Sequence, residues 1–221
     1  MQDMYQKPDK EKLLFFLKKL SIVLFTWIFI YGGTNWISSQ RHDLYAFYFP
    51  WELKIPLIPE MIFIYLSVYI VPIVHLFLLT KEEMSEGTKT LVFSIIISGV
   101  LFLLIPTKIG YPWPPPTDRY PFFFGLVKTL DLPHNLFPSL HITLAYIFSR
   151  LLMRSGQNVL NFLCCLWFVS VCFSIILVYQ HHIVDILGGL LVGQLSWHLF
   201  YFKRPKFRFW KQVSAEQEEH S

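Results

Sequence analysis

"NVLNFLCCLWFVSVCFSIILVYQHHIVDILGGLLVGQLSWHLF", residues 158–200, carries a single formally charged residue, Asp185. A helix needs roughly 20 apolar residues to cross ~30 Å of hydrocarbon. This stretch is long enough to do so twice, with a short turn between the passes. The turn is what needs explaining, because His181, His182 and Asp185 stand where each must be sheltered from lipid. An ionised carboxylate inside a span costs about 3 kcal/mol or more, so it takes a partner or a wet cavity.

The same spacing of charge recurs through the chain. Between Lys19 and Arg41 lie 21 residues without formal charge, and between Glu60 and Lys81 there are 20. Further gaps run over 90–107, 132–149, 155–184 and 186–202. These stretches predict an all-α, polytopic membrane protein. Its six transmembrane helices fall at about 20–38, 61–80, 90–107, 138–154, 158–179 and 181–202, within one domain over 1–221. Composition agrees. The chain is 54% hydrophobic and only 15% charged, where a soluble domain carries about 25% charge. Residues 41–59, "RHDLYAFYFPWELKIPLIP", mix aromatics with a few charges and read as an interfacial segment. No cleavage pattern follows the polar residues 1–19, so the first span is expected to stay. Cys164, Cys165 and Cys172 all fall in the fifth span, with no disulfide framework and no metal-ligand spacing.

Lysine and arginine sort by side. Fourteen fall on the side of the N-terminal segment 1–19 and the basic tail 203–221; five (Arg41, Lys54, Lys108, Arg119 and Lys128) fall on the other. The positive-inside rule places both termini in the cytoplasm. The loop before the fourth span and the turn before the sixth then face outward. Basic residues that flank spans are suited to anionic lipid headgroups, so membrane lipids are the expected partners and nucleic acid is not. His42, His75, His134 and His198 read as interfacial residues near span ends.

Two sites carry chemistry. The outer loop runs into "DLPHNLFPSLHITLAY", residues 131–146. Pro138 suits the first turn of a helix, and the free N–H groups around Ser139, Leu140 and His141 would then face an anion. In the sixth span Asp185 lies four residues after His181, on the same helical face. A histidine paired with a carboxylate has a fixed tautomer and a supported imidazolium, the arrangement that activates a nucleophile. His182, three residues from Asp185, satisfies spacing as well, so the choice between the two histidines stays open. Gly188 and Gly189 would let a neighbouring helix approach closely. Both histidine sites lie at the same side of the membrane.

These residues resemble the membrane-bound type-2 phosphatidic acid phosphatases, within the wider acid phosphatase and vanadium haloperoxidase superfamily. The family pattern is Lys-x6-Arg-Pro, then Pro-Ser-Gly-His, then Ser-Arg-x5-His-x3-Asp. Here the second piece is Pro138-Ser139-Leu140-His141, similar to the branch that contains inositol phosphorylceramide synthases and bacterial relatives. The third runs from Ser174 through His181 to Asp185, and the first is Lys108, six residues, then Pro115 and Pro116. The resemblance implies a ping-pong phosphoryl transfer without metal or other cofactor. His181 would attack the phosphate, Asp185 would orient its ring, and His141 would protonate the leaving oxygen. Lys108 and Ser139 would cradle the phosphate. The two family arginines are replaced by Pro115 and Ile175, and Arg119 in the same loop is the candidate to compensate.

Three functions follow as expectations. The first is hydrolysis of a lipid phosphomonoester or pyrophosphate at the outer face, as in a bacterial inner membrane. The second is transfer of the phosphohead group to a lipid acceptor. The third is a lipid-binding protein with a decayed site.

Overall fold

A computed structural model describes residues 8–153 and 158–201. Arg154 and the basic tail at 203–221 lie outside the described residues. Eight helical segments are α1 (Lys10–Ser39), α2 (Pro59–Tyr69), α3 (Pro72–Leu78), α4 (Lys81–Leu104), α5 (Pro121–Leu130), α6 (Leu140–Leu152), α7 (Asn158–Leu177) and α8 (Ile183–Tyr201). Among the described residues there is no strand, only two isolated bridges, so the fold is all-α.

Helices α1, α4, α7 and α8 are long and apolar enough to cross a membrane, and the bent pair α2–α3 makes a fifth candidate. The chain is an all-α polytopic membrane protein. The expected crossing at 138–154 is a 13-residue helix, α6, about 20 Å long and so short of the hydrocarbon thickness. It packs against α3, α4, α7 and α8, and ten of its residues are buried. α6 is the core of the bundle.

Two boundaries differ from the sequence reading. α1 begins at Lys10, not near residue 20, because Asp9 caps it by accepting from Lys12 N–H at 2.6 Å. The lysine-rich turns that follow are good helix formers; a gap in charge marks hydrocarbon, not the end of a helix. α1 also contains a π turn over Ile28–Gly32, which shifts the register of the residues around Tyr31. At the start of α4, Thr80 and Glu83 form a reciprocal capping box, which satisfies two otherwise free N–H groups.

The glycine pair does what its position suggested. A methyl at Gly189 would lie 2.5 Å from Ser139 O, and one at Gly188 would lie 2.5 Å from the Phe137 ring. Only hydrogen lets α8 come this close to the start of α6. Ser139 N–H donates to Asp185 O at 3.0 Å, and Thr143 Oγ1 donates to Gly189 O at 3.0 Å. The close approach is therefore locked by hydrogen bonds at both levels.

Candidate active site

Three elements meet where α6 and α8 begin. α7 ends in a tight turn in which the N–H groups of Gln180 and His181 both donate to Ile175 O, at 2.9 and 3.0 Å. Tyr179 occupies the left-handed conformation there, φ 60°, which costs a non-glycine residue on the order of 1–3 kcal/mol. Its hydroxyl donates to Ile55 O at 2.8 Å, and its ring stacks on Tyr111 at 4.3 Å. Those contacts offset the strain and fix where the two histidines start.

His181 Nδ1 lies 3.4 Å from Asp185 Oδ2, and the same oxygen accepts from His182 N–H at 2.8 Å. Asp185 thus closes the first turn of α8 and faces the His181 ring. The His141 ring is 6.3 Å from that of His181. Tyr65 stacks on His141 at 4.1 Å and Tyr69 stands edge-on to it at 5.3 Å. His141 Nε2 is buried and has no hydrogen-bond partner among the described residues. Such an atom is costly to leave unpaired; Nδ1 of His134 and Nδ1 of His182 are in the same condition.

His182 has a different environment. Its Nε2 accepts from Gly110 N–H at 3.0 Å, which leaves the proton on Nδ1, 3.4 Å from Glu52 Oε2. Tyr48 and Tyr111 flank the ring at 4.9 and 4.6 Å. Burial lowers its pKa from the usual 6.5, against the opposing pull of Asp185 and Glu52. Glu52 is fully buried and accepts from Phe49 N–H at 2.8 Å and Ile183 N–H at 3.0 Å. The segment expected to lie at the interface therefore sends a carboxylate into the head of α8, where a negative charge is favoured by the helix dipole. His182 is thus tied to Gly110 through one ring nitrogen, while its Nδ1 makes no hydrogen bond among the described residues.

The motif before α6 is held by Asn135, whose left-handed φ of 57° suits asparagine. Its side chain accepts from Ser38 Oγ at 3.0 Å and donates to Thr34 Oγ1 at 2.8 Å, so the loop is tied to α1. Ser139 is the N-cap of α6, accepting from Ile142 N–H at 3.4 Å, and is fully buried. α6 starts at Leu140, two residues after Pro138.

Asp131 was not singled out by the sequence. Its carboxylate accepts from Tyr31 Oη at 2.9 Å and Tyr65 Oη at 2.7 Å. Burial raises its pKa, while the two hydroxyls pull it back down. Tyr65 is the residue stacked on His141, so Asp131 reaches that ring through one side chain. Asp131, His181, Tyr31, Tyr65 and His134 line one small cavity of about 10 Å³, room for roughly a single water.

Arg119 is exposed and pairs with Glu60. Lys108 is exposed; its backbone bridges to His134 and donates to Tyr45 O at 2.8 Å, and the next residue, Ile109, lines the cavity. None of the buried residues among those described is a lysine or arginine, whereas Glu52, Asp131 and Asp185 are all buried. Among the described residues no group of three or more His, Cys, Asp or Glu could hold a metal ion. Two of the residues read as interfacial have partners inside the protein. His75 is buried, with its ring nitrogens 3.1 and 3.2 Å from the Val71 and Phe148 carbonyls, and His134 lines the cavity.

The paired histidines, the aspartate and the helix-capping serine fall inside a region, residues 87–209, that matches the PAP2 superfamily. The match covers more than half of the chain, and the protein belongs to that superfamily. Its members are generally phosphatases, and the membership carries phosphatase or phosphotransferase chemistry on phosphate esters. No curated protein and no solved structure matches the chain.

Proposed function

We propose that the protein is a membrane phosphatase that removes phosphate from a lipid phosphomonoester or pyrophosphate at the outer face, through a phosphohistidine on His181. The observation that carries this reading is the facing of His141 and His181 at 6.3 Å, one with a carboxylate on Nδ1 and the other with an unpartnered ring nitrogen.

Asp185 accepts the Nδ1 proton of His181, so the lone pair of Nε2 is available. That nitrogen attacks phosphorus, a P–N bond forms and the P–O bond to the lipid breaks. His141 gives a proton to the departing oxygen, which leaves as the alcohol of a monoester or as the lipid monophosphate of a pyrophosphate. Water then enters, His141 takes its proton, and the oxygen attacks phosphorus as the P–N bond breaks. Inorganic phosphate leaves and both histidines are restored. Phosphoryl transfer depends mainly on positioning and charge. Asp131 and Tyr65 supply positioning for His141. Ser139 supports the same end by holding the N–H groups of α6 in place, and Lys108 at the rim is the nearest cation by chain position. Arg119 would have to leave Glu60 to contribute. A cavity sized for one water must also open, and the Lys108–His134 bridge is the segment that would move.

Phosphate release from a panel of lipid phosphates, with His181→Ala beside the wild type and chelator present throughout, tests the proposal. Release that vanishes in the variant supports it. Release that survives would assign the chemistry to another group.

A second reading, a lipid-binding protein that no longer turns over, is favoured by three buried carboxylates facing no buried cation. Tight binding of a lipid phosphate without any release would select it. Passage of the phosphoryl unit to a lipid alcohol, in place of water, would select the transferase reading suggested by the Pro-Ser-Leu-His motif.

A further inference from the structure

A second and larger cavity, about 210 Å³, lies between α1, α3, α4 and α6. It begins beside the candidate active site: Tyr69, edge-on to His141, lines it, and so does Leu144, one turn along α6 from His141. From there it runs away from the histidines. Its wall includes Trp27 to Phe16 on α1 and Ile95 to Met84 on α4, a length of about 16 Å along either helix. Lys19 closes the far end, with its ammonium donating to Ser85 Oγ at 3.1 Å. Leu24 and Leu130 line the cavity and are exposed, so it also opens sideways.

The wall offers nothing to a polar ligand. His75 has its ring nitrogens against backbone carbonyls, and Thr88 Oγ1 donates to Met84 O at 2.8 Å. Apart from the indole N–H of Trp27, every other side chain between Tyr69 and Lys19 along this wall is apolar. A site walled almost wholly by apolar side chains takes hydrocarbon. A long, narrow one that starts at a phosphoryl-transfer centre takes hydrocarbon attached to a phosphate.

We infer that this cavity is the tail slot of the substrate: it holds one unbranched hydrocarbon chain of the phosphate ester whose head reaches His181, and its depth sets a chain-length preference. The inference rests on the phosphatase reading and deepens it. A lipid held this way keeps its own orientation in the bilayer, head at the mouth of α6 and α8 and tail along α6. Each methylene that enters the slot contributes until the end at Lys19 is reached. Burial of a CH₂ corresponds to roughly a fourfold gain per carbon.

The test is kcat/KM for inorganic phosphate release from a homologous series of n-alkyl monophosphates, butyl to hexadecyl. The wild type, Val23→Trp and Leu20→Trp are compared, each in the full chain. Val23 lies nearer the site along α1 and Leu20 nearer Lys19. The wild type should show kcat/KM rising with chain length and then breaking to a plateau. The break should move to shorter chains in both variants, and further in Val23→Trp than in Leu20→Trp. A fold defect lowers all lengths together and does not move a break in that order. A break that stays where it is in both variants overturns the slot and leaves the phosphatase reading standing. Equal loss at all lengths in both variants also overturns it, because the wall is then structural. No release from any alkyl phosphate by the wild type removes the phosphatase reading, and the slot falls with it.

Discussion

His181 and His182 are neighbours in the chain, and each faces a buried carboxylate at 3.4 Å. Their surroundings differ at the other nitrogen. In His182 the Nε2 lone pair is taken by Gly110 N–H, the ring is sandwiched between two tyrosines, and the residue ties two loops to the head of α8. In His181 no hydrogen bond occupies Nε2 among the described residues; the ring lines the small cavity and lies 6.3 Å from that of His141. A carboxylate partner is therefore not what marks the nucleophile. Each histidine keeps one ring nitrogen without a hydrogen bond among the described residues, Nδ1 in His182 and Nε2 in His181, and the proposed reading assigns attack to the latter.

That contrast is broken most severely at His181. Its replacement by alanine should lower phosphate release by about 10⁴-fold or more, as loss of a nucleophile does, measured on purified protein. Activity within tenfold of wild type would shift the nucleophile to His182. His141→Ala comes next, with a loss of about 10²–10⁴-fold. The loss should shrink for an aryl phosphate, whose leaving group needs no proton; an equal loss for alkyl and aryl substrates would deny His141 the role of acid.

Asp131→Asn sharpens the same comparison from further away. It removes the carboxylate that orients Tyr65 under His141, and misplacement of a catalytic group can cost up to about 10²-fold. Here activity and stability should part. The folded pKa of Asp131 is raised, so its contribution to stability is present at low pH and lost as pH rises through the folded value. At neutral pH the neutral Asn should leave the melting temperature equal or higher while kcat falls. A fall in both together would reduce Asp131 to a structural residue.

His182→Gln should have the smallest effect on turnover, within about tenfold, and a larger one on stability, about 1–3 kcal/mol from the unpaired buried groups it leaves. Because the folded pKa of His182 lies below its ordinary 6.5, the clamp contributes stability above that pH. The contribution is lost as pH falls below 6.5 toward the folded value. The melting temperature of the wild type should therefore drop more steeply than that of His182→Gln on acidification. Parallel curves would mean that the clamp does not titrate.

The sequence revealed the parts of this site that are close together in the chain. His181 and Asp185 share a helical turn, Pro138 to His141 sit at one helix start, and gaps in charge located the long helices. The supports were out of reach for the same reason. Glu52 meets His182 across 130 positions, and Tyr31 meets Asp131 across 100. No periodicity links a lone glutamate in an aromatic loop to a distant helix head. Arg119 was the natural replacement for two missing arginines by loop position, and its exposed pairing with Glu60, 59 positions earlier, had no signal in the sequence. Charge pairing in three dimensions does not follow from membership of one loop. The short α6 is apolar because its residues face protein on nearly every side, a pattern that hydropathy does not distinguish from lipid.

Trapping the covalent intermediate decides most directly whether the two histidines divide the labour as described. His141→Ala would be mixed with a radiolabelled aryl phosphate, quenched in base and digested. Label stable to base, labile to acid and carried by the peptide with His181 is the expected result, accumulating because the second step lacks its base. Label on His182, or no covalent label while phosphate is still released, would contradict it.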